Sequence, residues 1–155
     1  MRVRELAGSH DGAGLRVGVA VAEFNRVITR GLLEGALAAL EAAGVPEVTV
    51  VRVPGALELP LAAARLAEGH DAVVALGAVI RGDTDHYEHV ATQACAGLRQ
   101  VALAARVPVA NGVLTVRETA HARERSAPGP GNKGAEAVEA AILTLRALQR
   151  LGDPR

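Results

Sequence analysis

Four short apolar runs, rich in valine, divide this chain and limit the folds that it can adopt. They occupy residues 15–21, 48–53, 72–80 and 107–115. Most of each run lacks the alternation of polar and apolar residues that is typical of a strand with one solvent-exposed face. The pattern therefore predicts strands that are covered on both faces, as in a parallel sheet.

Segments with helical periodicity separate these runs. They cover residues 28–44, 57–70, 86–105 and 132–151, and Gly44 is placed as a C-terminal stop before Pro46. Strands that alternate with helices predict right-handed βαβ units and a three-layer α/β/α sandwich around a central parallel four-stranded sheet. The first residues, "MRVRELAG", are too short and polar for the core. We expect them to form an edge strand or to pair with a neighbouring subunit.

Length and composition fit one domain over residues 1–155, since half of the residues are hydrophobic and 22% are charged. Seventeen basic residues balance seventeen acidic ones, which gives no electrostatic reason to bind nucleic acid or an anionic membrane surface. The single cysteine, Cys95, cannot form an internal disulfide. With no signal sequence before Leu15 and no apolar run long enough to span a membrane, we expect a cytoplasmic protein.

Ligands of open parallel sheets bind beyond the carboxyl ends of the strands. The segments to examine are therefore "AEFN", "PGALE", "RGDTDH" and "NGVLT", which lie at or after the ends of the four runs. Two of the rarest residue types of the chain lie in or beside these segments. Phe24 is the only phenylalanine, and Tyr87, just after the third segment, is the only tyrosine.

Phe24 has two interpretations. A lone apolar side chain is usually tucked under its loop, but it also offers a flat face on which a planar ligand can stack. Lys133, the only lysine, also has two interpretations. At the start of a helix it meets an unfavourable macrodipole unless an anion is near, or it is simply a mobile lysine on a glycine-rich loop.

The cluster after the third run combines a structural and a functional prediction. Asp85 and Glu88 have the spacing of a capping box and so predict the start of a helix. Gly82, Thr84 and His86 predict an anion site at that helix N-terminus, with a histidine that exchanges protons near neutral pH. A metal site is disfavoured, because a helix turns His86 and Glu88 away from the face shared by Asp85 and His89.

Two further charged residues have open alternatives. Glu58 either caps or solvates the helix that follows it, or accepts hydrogen bonds from ligand hydroxyl groups. Arg125, before the loop "SAPGPG", is either a cation at a helix C-terminus or a clamp for phosphate.

Taken together, "EFN", "VPGALELP", "GAVIRGDTDHYEHV", "NGVLT" and "ARERSAPGPGNKG" resemble the 6,7-dimethyl-8-ribityllumazine synthase family of riboflavin biosynthesis. The resemblance extends from about Leu15 to the last helix. It implies a flavodoxin-like fold and a transferase that condenses 5-amino-6-(D-ribitylamino)uracil with 3,4-dihydroxy-2-butanone 4-phosphate, with loss of phosphate and water. It implies neither a cofactor nor a metal.

The resemblance also implies roles for individual residues. Phe24 would stack on the pyrimidine, Val79 and Ile80 would bond its ring through their backbones, and His86 would be the proton shuttle. Ala56 and Glu58 would meet the ribityl chain. Gly82, Asp83, Thr84 and Arg125 would bind phosphate, and the remaining substrate-binding residues would be Asn25, Leu57, Asn111 and Lys133. Three residues depart from the family pattern and put the tightness of ring packing in question: Leu57, Asn111 and Val116.

The family assembles as pentameric rings with active sites between neighbours, so Asn111, Arg125 and Lys133 are expected to come from the adjacent subunit. Within the family, a short loop before the last helix permits twelve pentamers to close into a shell. The loop has no insertion here, so the resemblance favours an icosahedral shell of 60 subunits over free pentamers, and such a shell would be able to enclose riboflavin synthase. Two alternatives stay open: a flavin-binding or shell-forming relative without activity, and an aldolase-like enzyme with Lys133 as a Schiff-base nucleophile.

Overall fold

The four valine-rich runs form one parallel sheet in the computed structural model, which describes residues 1–152. The strands are β1 (Arg16–Ala22), β2 (Glu47–Val53), β3 (Ala72–Ile80) and β4 (Val109–Val116). Their order across the sheet is β2-β1-β3-β4, and each neighbouring pair is parallel. The predicted parallel four-stranded sheet is confirmed.

Five α-helices connect and cover the strands. They are α1 (Arg26–Ala42), α2 (Leu59–Ala67), α3 (His86–Ala105), α4 (Thr119–Ser126) and α5 (Lys133–Leu151), and a 3₁₀ turn, Ala56–Glu58, precedes α2. The bounds of β3 and α3 are those predicted from the sequence. Strand β4 begins two residues later than predicted, because Pro108 has no N–H with which to join the ladder.

The two faces of β1 carry side chains of different size, and so the helices on each face approach the strand to different depths. On β1 the valines point to one side, where they pack with buried residues of α1, α4 and α5. Gly18, Ala20 and Ala22 point to the other side, towards α2 and α3. A Cβ atom at Gly18 would lie 3.0 Å from Leu66, so α2 packs directly against the backbone of β1. The result is the predicted α/β/α sandwich.

Coverage of the strands is less complete than the sequence suggested. β1 and β3 are buried almost throughout, whereas β2 lies at an edge of the sheet and is only partly buried. Val50 on β2 is 38% exposed. The prediction that every strand is covered on both faces is wrong for the two edge strands, since β2 is only partly buried and Asn111 and Thr115 of β4 are exposed. The helices cover the two central strands more completely than the edge strands.

The N-terminal segment runs along α5. Arg146 donates to the carbonyl oxygens of Asp11, at 2.8 Å, and Ala13, at 2.7 Å, and Arg150 donates to that of Ala7 at 3.1 Å. Residues 1–9 form neither strand nor helix. Addition of this segment to the sheet of a neighbour stays a prediction, since the other strand of the pair would belong to a second chain.

The strand order creates a crevice at the carboxyl ends of the two central strands, β1 and β3. From β1 the chain moves outward to β2, and from β2 it crosses back to β3 on the far side of β1. The connections from β1 and β3 therefore leave in opposite directions, which is where open α/β sheets bind ligands. Within residues 1–152, no helix combines the length and the apolar character that crossing a membrane requires.

Candidate active site

A cavity of about 450 Å³ opens at the carboxyl ends of β1, β2 and β3. It contains ten of the fourteen residues that the sequence singled out. They are Phe24, Asn25, Ala56, Leu57, Glu58, Val79, Ile80, Gly82, Thr84 and His86. We call this the first cavity, and its position between β1 and β3 is the crevice described above.

Phe24 presents its ring to this cavity. Its side chain is 72% exposed, so the interpretation of a residue tucked under its own loop is wrong. The backbone N–H of Phe24 donates to Pro54 O at 2.9 Å, and that of Glu23 donates to Val53 O at 2.8 Å. These bonds prolong the pairing of β1 with β2 into the loops and so fix where the ring stands.

Asn25 adopts a left-handed backbone conformation, with φ of 60°. Asparagine tolerates this conformation better than most residues do. Its carbonyl oxygen accepts from the N–H groups of Ile28 and Thr29, which starts α1. Its side-chain amide donates to Ala78 O at 2.9 Å. The Asn25 side-chain nitrogen thus connects the loop after β1 to the end of β3.

Glu58 lies at the end of the 3₁₀ turn on the β2 side of the cavity. Its Oε2 atom accepts from the N–H of Gly55 at 2.9 Å, which fixes the direction of the carboxylate. Its side chain makes no capping bond to α2, so the predicted cap of the following helix is wrong. The carboxylate instead organises the 3₁₀ turn and lines the cavity, where contact with ligand hydroxyl groups stays a prediction. Leu57, next to it, is 50% exposed.

The segment between β3 and α3 has free backbone donors. Arg81 N–H is bonded to Val116 O. Within residues 1–152, no hydrogen-bond acceptor is present for the N–H groups of Gly82, Asp83 and Thr84. A Cβ atom at Gly82 would meet nothing within 4 Å, so packing within the chain does not require glycine there. Free N–H groups at a helix N-terminus form a site suited to an anion.

The predicted capping by Asp85 is wrong. Asp85 has φ of −73° and ψ of 0°, which is helical, and its side chain makes no capping bond, whereas a capping residue is normally extended. The Thr84 hydroxyl oxygen instead lies 3.5 Å from the N–H of His86, at the outer limit of a hydrogen bond. Asp83 is exposed and lines neither this cavity nor the second one described below.

His86 is the first residue of α3 and lines the first cavity. It follows the free N–H groups of residues 82–84 by two to four residues, so an imidazole and the candidate anion site lie on the same side of the cavity. Tyr87 and Val90 continue this wall along the helix. The sequence marked Tyr87 as rare but gave it no role.

Three predicted residues lie apart from the first cavity. Asn111, Arg125 and Lys133 line a second cavity of about 430 Å³, between β4 and the helices α4 and α5. No residue lines both cavities. In a single chain, the two halves of the predicted site are therefore separate.

The cations of the second cavity are held by weak, exposed contacts. Lys133 Nζ lies 2.6 Å from Glu136 Oε2, with both side chains more than 40% exposed, and an exposed pair contributes about 0–1 kcal/mol. Arg125 donates to His121 O at 3.2 Å, as expected of a cation at a helix C-terminus. Both the Lys133 ammonium and the Arg125 guanidinium can therefore leave these contacts for an incoming anion with little loss of free energy.

Sequence reasoning missed Asn132, which precedes Lys133. It is 2% exposed and caps α5. An asparagine directly before a periodic helix is a recognised start signal, and that signal would have found it. Glu136, the partner of Lys133, follows from the three-residue spacing of ion pairs on a helix.

The two cavities differ in the chemistry that they permit. The first offers a flat aromatic face, a backbone anion site and a histidine, and the second offers two cations. In the described part of the chain, no three His, Cys, Asp or Glu side chains come close enough together to hold a metal ion.

Comparisons with known proteins show which family this chain resembles. A model of the family described as 6,7-dimethyl-8-ribityllumazine synthase matches residues 14–149. The chain is similar to proteins of that name from Kineococcus radiotolerans (56% identity, covering 90% of this chain and 88% of the relative) and Thermobifida fusca (48%, covering 94% and 86%). A third, from Thermus thermophilus, is 48% identical and covers 97% of this chain and 99% of its own length. The chain therefore belongs to the 6,7-dimethyl-8-ribityllumazine synthase family.

Proposed function

We propose that this chain condenses 5-amino-6-(D-ribitylamino)uracil with 3,4-dihydroxy-2-butanone 4-phosphate to give 6,7-dimethyl-8-ribityllumazine, phosphate and water. The observation that carries the proposal is that Phe24, the free N–H groups of residues 82–84 and His86 border one cavity or its rim. A planar pyrimidine and a phosphate need such a combination of stacking face and anion site. A passive flavin-binding protein has no use for a proton carrier beside an anion site.

The pyrimidine takes the inner part of the first cavity. Its ring stacks on Phe24, and its polar edges bond the backbone of Val79 and Ile80, which end β3. The ribityl chain extends over Ala56, Leu57 and Glu58, whose carboxylate is already oriented by Gly55. Asn25 supports this half of the site by fixing the Phe24 loop to β3.

The butanone phosphate binds with its phosphate at Gly82, Asp83 and Thr84. Backbone N–H groups supply the bonds, and the Thr84 hydroxyl adds a donor. The exposure of Asp83 supports this placement, because its carboxylate can remain in water while its N–H faces the anion.

The reaction needs little from the protein beyond orientation. The amine of the pyrimidine attacks the ketone, water leaves, phosphate is eliminated, and the second amine closes the ring with loss of another water. Proximity accounts for several kcal/mol of the barrier. His86 moves protons between the attacking amine and the leaving oxygen, which contributes about 10²–10⁴-fold.

A neighbouring copy completes the site with its second cavity. Arg125 then faces the phosphate, and Lys133 and Asn111 close the pocket over the pyrimidine. The separation of the two cavities on one chain supports this arrangement. So does the exposure of Val27 and Leu61, at 80% and 73%, in the first turns of α1 and α2, since large exposed apolar side chains mark association surfaces.

A contact between unlike surfaces repeats around a closed ring. We propose the pentameric ring of the family, with twelve rings closing into a shell of 60 subunits because the loop between α4 and α5 is short. The N-terminal segment would add a strand to the neighbouring sheet. The shell would lie in the cytoplasm and be able to enclose riboflavin synthase.

Product formation tests the function directly. Purified protein is mixed with both substrates, and lumazine absorbance and released phosphate are followed together. Equal amounts of the two products support the proposal. Binding of the lumazine or a flavin without turnover would instead assign a binding protein on this fold.

Borohydride trapping tests the Schiff-base alternative. A nucleophilic lysine needs burial and a lowered proton affinity, but the Lys133 side chain is 41% exposed and paired with Glu136. We therefore expect no reduced adduct at Lys133 in the presence of the butanone phosphate.

A further inference from the structure

Asn132 is one of three buried polar residues in the described chain, at 2% exposure. It lies at the base of the loop between α4 and α5. Arg125 stands at the other end of this loop, and Lys133 follows Asn132 directly. The two cations of the second cavity therefore flank the loop that Asn132 closes.

Every polar atom of the Asn132 side chain is bonded. Its Oδ1 atom accepts from the N–H groups of Gly134 at 2.9 Å and Ala135 at 3.1 Å. Its Nδ2 atom lies within hydrogen-bond distance of three carbonyl oxygens, which share its two hydrogens: those of Gly31 at 3.1 Å, Ser126 at 3.1 Å and Ala127 at 3.0 Å. One amide thus joins α1, the end of α4 and the start of α5. We call this set of bonds the Asn132 clasp.

Packing around the clasp leaves it little room to shift. A Cβ atom at Gly35 would overlap the Asn132 amide, one at Gly31 would overlap Ser126 O, and one at Gly134 would overlap Leu32 O. Glycine at these positions lets α1 approach both the clasp and the start of α5. The clasp is therefore locked against the core rather than held only by the loop.

The rest of the loop is not anchored in this way. Residues 128–131 are exposed, and Gly129 and Gly131 have positive φ. This stretch meets Asn132 through a backbone bond, from the Asn132 N–H to Gly129 O at 3.3 Å. The positions of Arg125 and Lys133 relative to each other are thus set at the clasp and not by the exposed loop between them.

We propose that Asn132 is a positioning residue, which holds the ends of α4 and α5 on α1 so that Arg125 and Lys133 face one cavity. The inference rests on the proposed function, in which these two cations meet the substrates. It adds that the binding of the butanone phosphate depends on a buried side chain that itself touches no substrate.

The test separates the two halves of the amide. Asn132→Ser keeps an acceptor that caps α5, since serine caps a helix about as well as asparagine, but it removes the donor to the three carbonyls. We expect the KM for the butanone phosphate to rise about tenfold, as when a charged contact is misplaced. The KM for the pyrimidine and the saturated kcat should change less than about twofold, because serine keeps the cap that holds Lys133 at the start of α5 and leaves the first cavity untouched.

Two further variants make the result decisive. Ile142→Val removes a methylene from the buried face of α5 and lowers stability away from the clasp. It should lose about as much Tm as Asn132→Ser does, while its KM for the butanone phosphate stays at the wild-type value. Arg125→Ala tests the proposed function itself. If Arg125→Ala raises the KM for the butanone phosphate and Asn132→Ser does not, the positioning role alone is overturned. If neither variant affects that KM, the phosphate-binding part of the proposed function fails.

A second substitution of Asn132 tests the donor half of the amide and also shows whether the fold depends on it. Asn132→Asp keeps the shape and the acceptor but faces the three carbonyls with an anion, so we expect a larger rise in the same KM than with serine. If neither Asn132 variant assembles while Ile142→Val does, the fold itself depends on Asn132, and its role as a positioning residue is overturned.

Discussion

Asn25 and Ala78 are joined by a hydrogen bond of 2.9 Å, in which the side-chain amide donates to the carbonyl oxygen. This bond crosses the point where β1 and β3 send their connections in opposite directions. It keeps the Phe24 loop beside the last residues of β3, so that an aromatic face and the strand end at Val79 and Ile80 border one cavity. Two parts of the chain that are more than 50 residues apart thus border a single cavity, which is the proposed pyrimidine site.

The flat ring of Phe24 should contribute to pyrimidine binding beyond what its apolar area contributes. Phe24→Leu keeps most of that area but loses the flat face, and we expect the affinity for a ribitylated pyrimidine analogue to fall about fivefold, equivalent to about 1 kcal/mol of stacking. Phe24→Tyr keeps the ring and should bind within about twofold of wild type. Calorimetry on both variants gives the comparison. Equal affinities for the leucine and tyrosine variants would show that the ring does not stack.

Loss of His86 should slow turnover without abolishing it. His86→Ala is expected to lower kcat by roughly 10²-fold or less, because proximity survives the loss of one proton carrier. His89→Ala, three residues further along α3 and also exposed, is the matched control and should retain wild-type kcat. Stopped-flow absorbance of lumazine formation measures both. Unchanged turnover in His86→Ala would remove this histidine from the mechanism.

Arg125 should act on one substrate only. Arg125→Ala is expected to raise the KM for the butanone phosphate by about tenfold or more, because a charge-assisted contact acts mainly on its own partner. Binding of the pyrimidine analogue should change little. Arg123→Ala, in the same helix but outside the second cavity, is the control. Equal weakening of both ligands by Arg125→Ala would mean that Arg125 holds an interface rather than phosphate.

The sequence predicted most of the fold because burial and periodicity agreed locally. β3 and α3 were placed to the residue, since an unbroken apolar run ends at Ile80 and helical spacing begins at His86. The exposed edge of β2 was missed because strand order depends on contacts far apart in the chain. No bounds were predicted for α4, because its short polar segment has no clear apolar face.

The site was predictable where its residues follow strand ends and unpredictable where they act through distant partners. The positions of Phe24 and His86 follow from the general rule for parallel sheets. The Asp85 cap failed because its backbone is helical, which a sequence pattern does not reveal. Asn132 was overlooked because one of its partners, Gly31, lies 101 residues away along the chain.

The size of the assembly should follow from the short loop between α4 and α5. Sixty copies of a 15.9 kDa chain form a particle of about 1 MDa. Analytical ultracentrifugation at neutral pH distinguishes this particle from a free pentamer. A pentamer would contradict the shell but leave the shared site intact, whereas an active monomer would contradict both.

Complementation between two defective chains tests most directly whether each site is built from two subunits. One chain carries Phe24→Ala and His86→Ala, which damage the first cavity, and the other carries Arg125→Ala and Lys133→Ala, which damage the second. If neighbours share sites, random co-assembly of the two chains, expressed together in equal amounts, gives both intact halves to about one site in four. We therefore predict about a quarter of wild-type kcat/KM from the mixture, far above either variant alone. Activity equal to the mean of the two variants would show that each chain carries a complete site and would contradict the account.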